Sequence, residues 1–221
     1  LPICRKQIRV HHTSAHLLQA ALTKVLGDEV KQAGSQVDEN RMRFDFTFSR
    51  AMTEAEVQKT ENIINTWIGE ELEINTKIMD IEEAKLTGAV ALFGEKYGDT
   101  VRVVSIGDPV ISREFCAGTH AHNTADLRLI KIVSEGAISA GTRRIEAVVS
   151  NAAIDFMNSK IKEIDKLSSK FKVHYDEVEE RINKILDENK TLQKEIVDLK
   201  SENARAKFNS YIEKEIGRAH V

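Results

Sequence analysis

Apolar and polar residues alternate strictly along Arg43-Phe44-Asp45-Phe46-Thr47-Phe48. That period of two predicts a half-buried strand with three phenylalanines on one face. Over 13–26 the period is helical, with His16, Leu17, Ala20 and Ala21 on overlapping faces and Gly27 as the stop. Residues 53–67 predict a second helix, because Thr53 followed by Glu56 is a capping-box signature. Further strands are predicted over 74–79, 101–106, 127–133 and 143–149. Gly94, Gly98, Gly107, Gly118, Gly136 and Gly141 punctuate the turns. Strands outnumber helices and lie close together, so the pattern predicts an α+β fold: an antiparallel sheet with packed helices on one face, not a doubly wound sheet.

The pattern changes near residue 150. Residues 1–150 hold 10 of the 11 glycines and both prolines, whereas 155–215 carry 13 basic and 14 acidic residues with no breaker. A mixed domain over 1–150 is therefore expected to precede a helical segment over 151–217. Heptads run through that segment. Ile154, Ile161, Tyr175, Ile182 and Ile196 share one position; Met157, Ile164, Phe171, Val178, Ile185, Leu192 and Leu199 share the other. Asn189 and Asn203 fall at the first position, where a buried Asn fixes register at a cost in stability. The register breaks at Ser168, which predicts a bend before a long helix over about 175–216, roughly 60 Å in length. Two arrangements fit: a helical hairpin packed on itself, or a coiled coil between two copies in a homodimer. Arg218-Ala-His-Val221 departs from the heptads.

Composition narrows the classes. Lys+Arg total 32 and Asp+Glu 35, so 32 − 35 gives a net charge of −3 over 221 residues. That excludes a broadly basic nucleic-acid coat but not a local RNA-binding patch. No apolar run approaches the roughly 20 residues that cross a bilayer, so no membrane partner is expected. Two cysteines, Cys4 and Cys116, are too few for a disulfide scaffold and suggest a reducing, cytoplasmic compartment. No signal peptide precedes Arg5, and the start at Leu1 without an initiator Met reads as a piece of a longer protein.

Two short motifs carry chemistry. In His12-Thr-Ser-Ala-His16 the histidines are four apart, so on a helix they share a face and can grip one metal. His11 beside them points elsewhere. In Cys116-Ala-Gly-Thr-His120 a Cys and a His are again four apart. Singly, each side chain reads as well as an ordinary core or surface residue. Together, three imidazoles and one thiolate suit zinc.

These motifs belong to a longer series of blocks: HTSAHLLQAAL (12–22), VKQAGSQV (30–37), RFDF (43–46), GAVALFGEKYGD (88–99), VRVVSIGD (101–108), CAGTH (116–120) and GTRRIEAV (141–148). In content, order and spacing the series resembles the editing domain of alanyl-tRNA synthetase and its free-standing relatives, over about residues 10–150. The helical segment is similar to the link that follows that domain. The resemblance implies the threonyl/alanyl second-additional-domain fold. It implies hydrolysis of the ester joining serine or glycine to the acceptor 3′ end of tRNA(Ala), with Zn2+ held by His12, His16, Cys116 and His120. The aminoacylation domain of such a ligase is not in this chain.

The resemblance also assigns the surrounding residues. Gln32 matches a glutamine near the amino acid, where its amide can orient water or bind the α-amino group; otherwise it is a helix-end residue bonding local backbone. Ser35 matches a serine that contacts substrate, with a turn-forming role as the alternative. Arg143 and Arg144 point to opposite faces of a strand, and the match favours Arg143 for a tRNA phosphate or the developing oxyanion, against a salt bridge with Glu146. Asp45, pointing away from the phenylalanines, is expected to accept from the α-ammonium or a metal-bound histidine, or else to face solvent. Ala15, Ala117 and Gly118 fall at substrate-binding positions.

Ala15, Ala117 and Ser150 depart from the family pattern. Ala15 replaces the second Thr of the usual HTATH and is shared with the threonyl-type editing domain. Ala117 replaces a Gly beside the metal, and Ser150 a Gly after the RRIEAV strand. Ala15 and Ala117 keep two rivals open: a zinc-stabilised tRNA-binding or dimerisation fragment without hydrolysis, and a threonyl-type editing domain.

Overall fold

The computed structural model describes residues 2–91 and 97–219. Gly94 and the central part of the 88–99 block lie outside the described residues, as does the chain end beyond Ala219. The chain divides into two compact units, residues 1–158 and 159–221.

The first unit opens with α1 (Pro2–Leu26), which starts well before the expected residue 13. The polar run Arg5-Lys6-Gln7 hides the helical period there, because it lies on exposed or half-exposed helix surface. The predicted stop holds: Gly27 adopts φ 107° and its N–H donates to Thr23 O at 2.9 Å, a left-handed cap that glycine accepts without a Cβ clash. β1 (Gln32–Val37) and β2 (Met42–Thr47) follow. α2 (Glu54–Gly69) carries the predicted capping box, with Glu56 N–H donating to Thr53 Oγ1 at 3.2 Å and Thr53 N–H to Glu56 Oε2 at 2.8 Å. Then come β3 (Ile74–Asp80), α3 (Ile81–Leu86), β4 (Thr100–Ile106), β5 (Ser112–Phe115), a 3-10 turn (Thr124–Leu127), β6 (Ile130–Ser139) and β7 (Thr142–Val149).

The fold is α+β and its named strands all pair antiparallel, as the pattern predicts, with one isolated parallel bridge between Val90 and Glu114, but the strands form two sheets. One has the order β1-β2-β7-β6 and the other β3-β4-β5. Met42, Phe44 and Phe46 of β2 are fully buried, with Met42 opposite Ala147, Phe44 opposite Ile145 and Phe46 opposite Arg143 of β7. Leu17, Leu18 and Leu22 of α1 and Ile64 and Trp67 of α2 complete that core. The smaller sheet has its own apolar cluster of Ala84, Val101, Val103 and Phe115. Ile106 of β4 and Ile74 of β3 reach into the larger core, so the smaller sheet packs partly on the main core and partly on its own cluster. β6 begins three residues later than expected, because 124–127 closes as a 3-10 turn capped by Asn123.

α4 (Asn151–Phe171) begins in the first unit and ends in the second. The second unit continues through a 3-10 turn (Tyr175–Glu177) into α5 (Val178–Ala219), a 42-residue helix. The bend therefore falls where the heptads break. Within this unit Ile161, Ile164, Leu167, Leu192, Ile196 and Leu199 remain 42–63% exposed. Near the bend Val178 is buried and Phe171, Ile182 and Ile185 are half-buried, but away from it the heptad faces are open to solvent and do not close as a hairpin.

Candidate metal centre

α1 presents His12 and His16 one turn apart, and the segment after β5 brings Cys116 and His120 against them. One ligand atom from each lies within 4.8 Å of all the others, and these four form a group that could hold a metal ion. Cys116 Sγ stands 3.5 Å from His12 Nε2 and 3.2 Å from His120 Nε2. The four residues are half-buried or buried.

Partners on the far side of the rings set their orientation. His16 Nδ1 is 2.7 Å from Glu114 Oε2, and both side chains are under a tenth exposed. Ser112 Oγ donates to the other oxygen of Glu114 at 3.0 Å. His120 Nδ1 lies 3.2 Å from Thr13 Oγ1, which also accepts from Ala121 N–H at 3.0 Å. With Nδ1 occupied, each ring turns Nε2 to the cluster. Arg102 of β4 fixes the intervening loop by donating to Cys116 O at 3.0 Å and to Gly118 O. His11, as expected, points elsewhere. It is fully buried, bonded through Nδ1 to Gln7 O at 3.0 Å, and accepts from Val149 N–H at 3.3 Å. Burial pushes its pKa down, so it stays neutral.

Burial disfavours charge on Cys116 and His16, and the cluster overcomes it. Hydrogen bonds from His12, His120 and His16 bring the Cys116 thiol down to about 3. The Glu114 carboxylate and the Cys116 thiolate raise His16 to about 10. His120 is pushed down, by burial above all. The cluster is therefore a soft donor set with its thiolate already ionised.

Glu114, which meets His16 on the side away from the cluster, also lines a cavity of about 920 Å³ with Gln19, Thr23, Lys31, Gln32 and Thr47; none of the four cluster residues is in that lining. Gln32 opens β1; it does not end a helix. The reason is a bulge between Gln32 and Gly34. Residues i and i+3 of a regular strand point to opposite faces; the extra residue turns Gln32 and Ser35 to the same side. Gln32 Nε2 donates to Ser35 Oγ at 3.1 Å. The Gly inside an apolar-flanked run was the available signal for this bulge.

Other expected site residues stand elsewhere. Arg143 and Arg144 do point to opposite faces, but neither joins the cluster. Arg143 lies on the Phe46 and Ile145 side of β7 and makes a two-pronged ion pair with Glu135 at 2.5 and 2.7 Å. Glu146, the alternative partner, is taken by Arg41 at 3.3 Å. Asp45 is half-buried and bonds to no histidine; Arg144 holds both its oxygens at 2.7 and 2.8 Å. Ala15 is buried in the core flank of α1, and Ala117 is exposed. Gly118 packs directly on the His12 ring. Ser150 keeps the left-handed conformation of a glycine position, φ 57°. Sequence reasoning missed Glu114, Thr13 and Arg102, whose roles appear only when three elements meet.

Comparison with known proteins agrees with these motifs. Residues 101–146 match the family described as the threonyl and alanyl tRNA synthetase second additional domain. The chain is 44% identical over 220 residues to an alanine–tRNA ligase of Thermosynechococcus vestitus, covering 99% of this chain and 25% of the relative. It is 45% identical over 212 residues to that of Nostoc punctiforme (96% and 24%), and 46% over 200 residues to a chloroplastic/mitochondrial one of Populus trichocarpa (90% and 20%). The chain thus spans about a quarter or less of the curated relatives it matches. Over nearly all of its own length it is similar to a segment of alanine–tRNA ligases.

Proposed function

Proceeding from that similarity, we propose that this segment binds zinc and hydrolyses the ester joining serine or glycine to the 3′ end of tRNA(Ala). The observation that carries the reading is the convergence of the His12/His16 pair from α1 and the Cys116/His120 pair from the loop after β5 into one group that could hold a metal ion. A tetrahedral zinc has its nitrogen and sulfur ligands about 3.3 to 3.6 Å apart. The Cys116–His12 separation of 3.5 Å fits that edge and the Cys116–His120 separation of 3.2 Å is slightly shorter; all four donor atoms lie within 4.8 Å of one another, and three imidazoles with a thiolate suit zinc. Zinc in this centre would supply Lewis acidity and a fixed point for the 3′-terminal residue.

The chain's own residues do the rest. Four protein ligands close the coordination sphere, so His12, His16, Cys116 and His120 serve positioning first. The bond from Gln32 to Ser35 leaves Gln32 Oε1 to accept from the attacking water or from the α-ammonium. Gly118 lets the loop lie against His12, close to where the terminal adenosine would rest. A catalytic role for Arg143 rests on the resemblance alone, since Glu135 holds its guanidinium. The need for the reaction is physical: a pocket for alanine admits the smaller glycine and cannot strongly reject a side chain that only adds a hydroxyl.

The exposed heptad faces of the second unit support pairing between two copies, which light scattering of the chain and of a truncation at about residue 152 would detect; an unchanged mass on truncation removes that pairing. Among the described residues no helix is long and apolar enough to cross a membrane. A zinc-ligating thiol asks for a reducing compartment, the cytoplasm in our reading, although relatives include organellar forms.

The test is deacylation of Ser-tRNA(Ala) and Gly-tRNA(Ala) by the chain, with Cys116→Ala as control. Hydrolysis by the wild type and none by the variant is expected. A folded, zinc-loaded wild type that leaves both esters intact would instead favour the zinc-stabilised, non-hydrolytic fragment.

A further inference from the structure

Residues 1–158 contain ten arginines. Eight of them are engaged inside the unit: Arg41, Arg50, Arg143 and Arg144 by carboxylates, Arg43 and Arg128 by side-chain amides, and Arg102 and Arg113 by backbone carbonyls. Arg5 and Arg9 have no such partner among the described residues. The Nε of Arg9 is also buried without a hydrogen-bond acceptor. A buried, unpaired guanidinium nitrogen is costly unless an anion completes it.

These two arginines share a helix face with the metal ligands. Positions 5, 9, 12 and 16 follow the i, i+4, i+7, i+11 spacing, so Arg5, Arg9, His12 and His16 form one stripe along α1. Arg9 stands about 4.5 Å and Arg5 about 10 Å along the axis from His12. Both, with Lys6, line a cavity of about 900 Å³ whose other wall includes Thr119 and Ala121, the neighbours of His120. Among the described residues of its lining the one acid, Asp126, accepts from His122 N–H at 3.3 Å.

We propose that Arg5 and Arg9 form a phosphate track that leads to the metal centre and binds the backbone of the RNA strand whose 3′ end enters it. This rests on the aminoacyl-tRNA reading above and adds where the strand lies. It also resolves a difficulty of charge. A chain of net charge −3 has no general field for RNA, so binding needs a local set of cations kept free of internal partners. Guanidinium forks suit phosphate oxygens, and their stripe gives the strand its direction.

The experiment is fluorescence anisotropy of the full chain with a labelled acceptor-stem RNA ending in a single-stranded 3′ tail, over a series of salt concentrations. Arg5→Gln/Arg9→Gln is expected to bind more weakly and to lower the slope of log Kd against log salt by about 1.4, or 0.7 for each single-strand phosphate no longer neutralised. Arg5→Gln combined with Arg9→Lys restores part of the slope. The charge-matched control Lys59→Gln/Lys77→Gln, both exposed and far along the sequence, leaves the slope unchanged. Zinc content and thermal melting check that each variant is folded. An unchanged slope in the arginine double variant, or an equal fall in the control, overturns the track. If the wild type still deacylates, the editing reading survives that result; a wild type that neither binds the RNA nor deacylates sinks both.

Discussion

Gly118 and His12 are packed so closely that a Cβ on Gly118 would lie 2.5 Å from His12 Nδ1 and nearer still to the adjoining ring carbon. Ala117, the preceding residue, is exposed, so its extra methyl meets no ligand ring. One position in this loop tolerates a side chain and the next does not. Gly118→Ala is therefore expected to push His12 out of the cluster. Zinc affinity, read by competition with a chromogenic chelator, should fall at least tenfold, as it does when the groups that orient a ligand are removed. Affinity within twofold of wild type would show that the loop yields instead.

Glu114 is expected to matter for the same centre by orientation. Its carboxylate, supported by Ser112, contacts His16 Nδ1 inside the protein. Glu114→Gln keeps the volume but removes the charge. A loss of about 10- to 100-fold in zinc affinity is expected, with an altered spectrum of the cobalt-substituted protein. Unaltered affinity and spectrum would mean that α1 alone holds the ring.

Much of this was legible in the chain. The paired spacing of His12/His16 and Cys116/His120, with the family resemblance, pointed to the group that the fold brings together, and the Phe44/Phe46 alternation placed β2 within a residue. The bend near Ser168 followed from an interrupted heptad. What was hidden depends on partners distant in sequence. Gln32 could not be placed on a strand without the bulge that aims it. The pairings of Asp45 with Arg144 and of Arg143 with Glu135 need the β2–β7 and β6–β7 registers, which no local pattern states. The split into two sheets is likewise a matter of which strands find each other.

The thiol of Cys116 gives a pH prediction. Its pKa is lowered from 9.0 to about 3, so in protein stripped of metal it is a thiolate throughout the neutral range. In a Cys4→Ser background its alkylation rate should be flat between about pH 5 and 8, and metal should protect it. A rate rising tenfold per pH unit would refute the lowered pKa. Stability follows with a definite sign. The Cys116 contribution is full above 9 and fades as pH falls through about 3, while that of His16, raised from 6.5 to about 10, is full below 6.5 and lost as pH rises through 10. The stripped protein should gain stability up to about pH 6.5, hold it to about 9, then lose it.

Ser150 bears a left-handed backbone, φ 57°, because it must both pair with Leu129 O at 2.9 Å and offer its own carbonyl to Ala153 and Ile154 at the start of α4. That conformation costs a residue with a Cβ about 1–2 kcal/mol. Glycine would remove this, offset by about 0.4–1 kcal/mol of added freedom in the unfolded chain. Ser150→Gly is expected to stabilise the unit by about 0.5 kcal/mol, seen as a higher urea midpoint at unchanged m. A lower midpoint would show that the serine is not strained.

The role of Arg143 can be separated from its support of Glu135. The pair is mostly buried, 13% and 9% exposed, so Arg143→Ala alone strands a carboxylate and should destabilise by about 3 kcal/mol. Lost hydrolysis in that variant would be uninformative by itself. Replacing both partners, Arg143→Met with Glu135→Leu, removes the stranded charge and should return most of the stability. If deacylation returns with it, Arg143 serves the β6–β7 pairing and the resemblance misled on its catalytic role. If the doubly substituted chain is as stable as wild type, keeps its zinc and has lost hydrolysis, Arg143 leaves Glu135 to meet the aminoacyl-tRNA. The geometry favours the first outcome, since both prongs of the guanidinium are already filled.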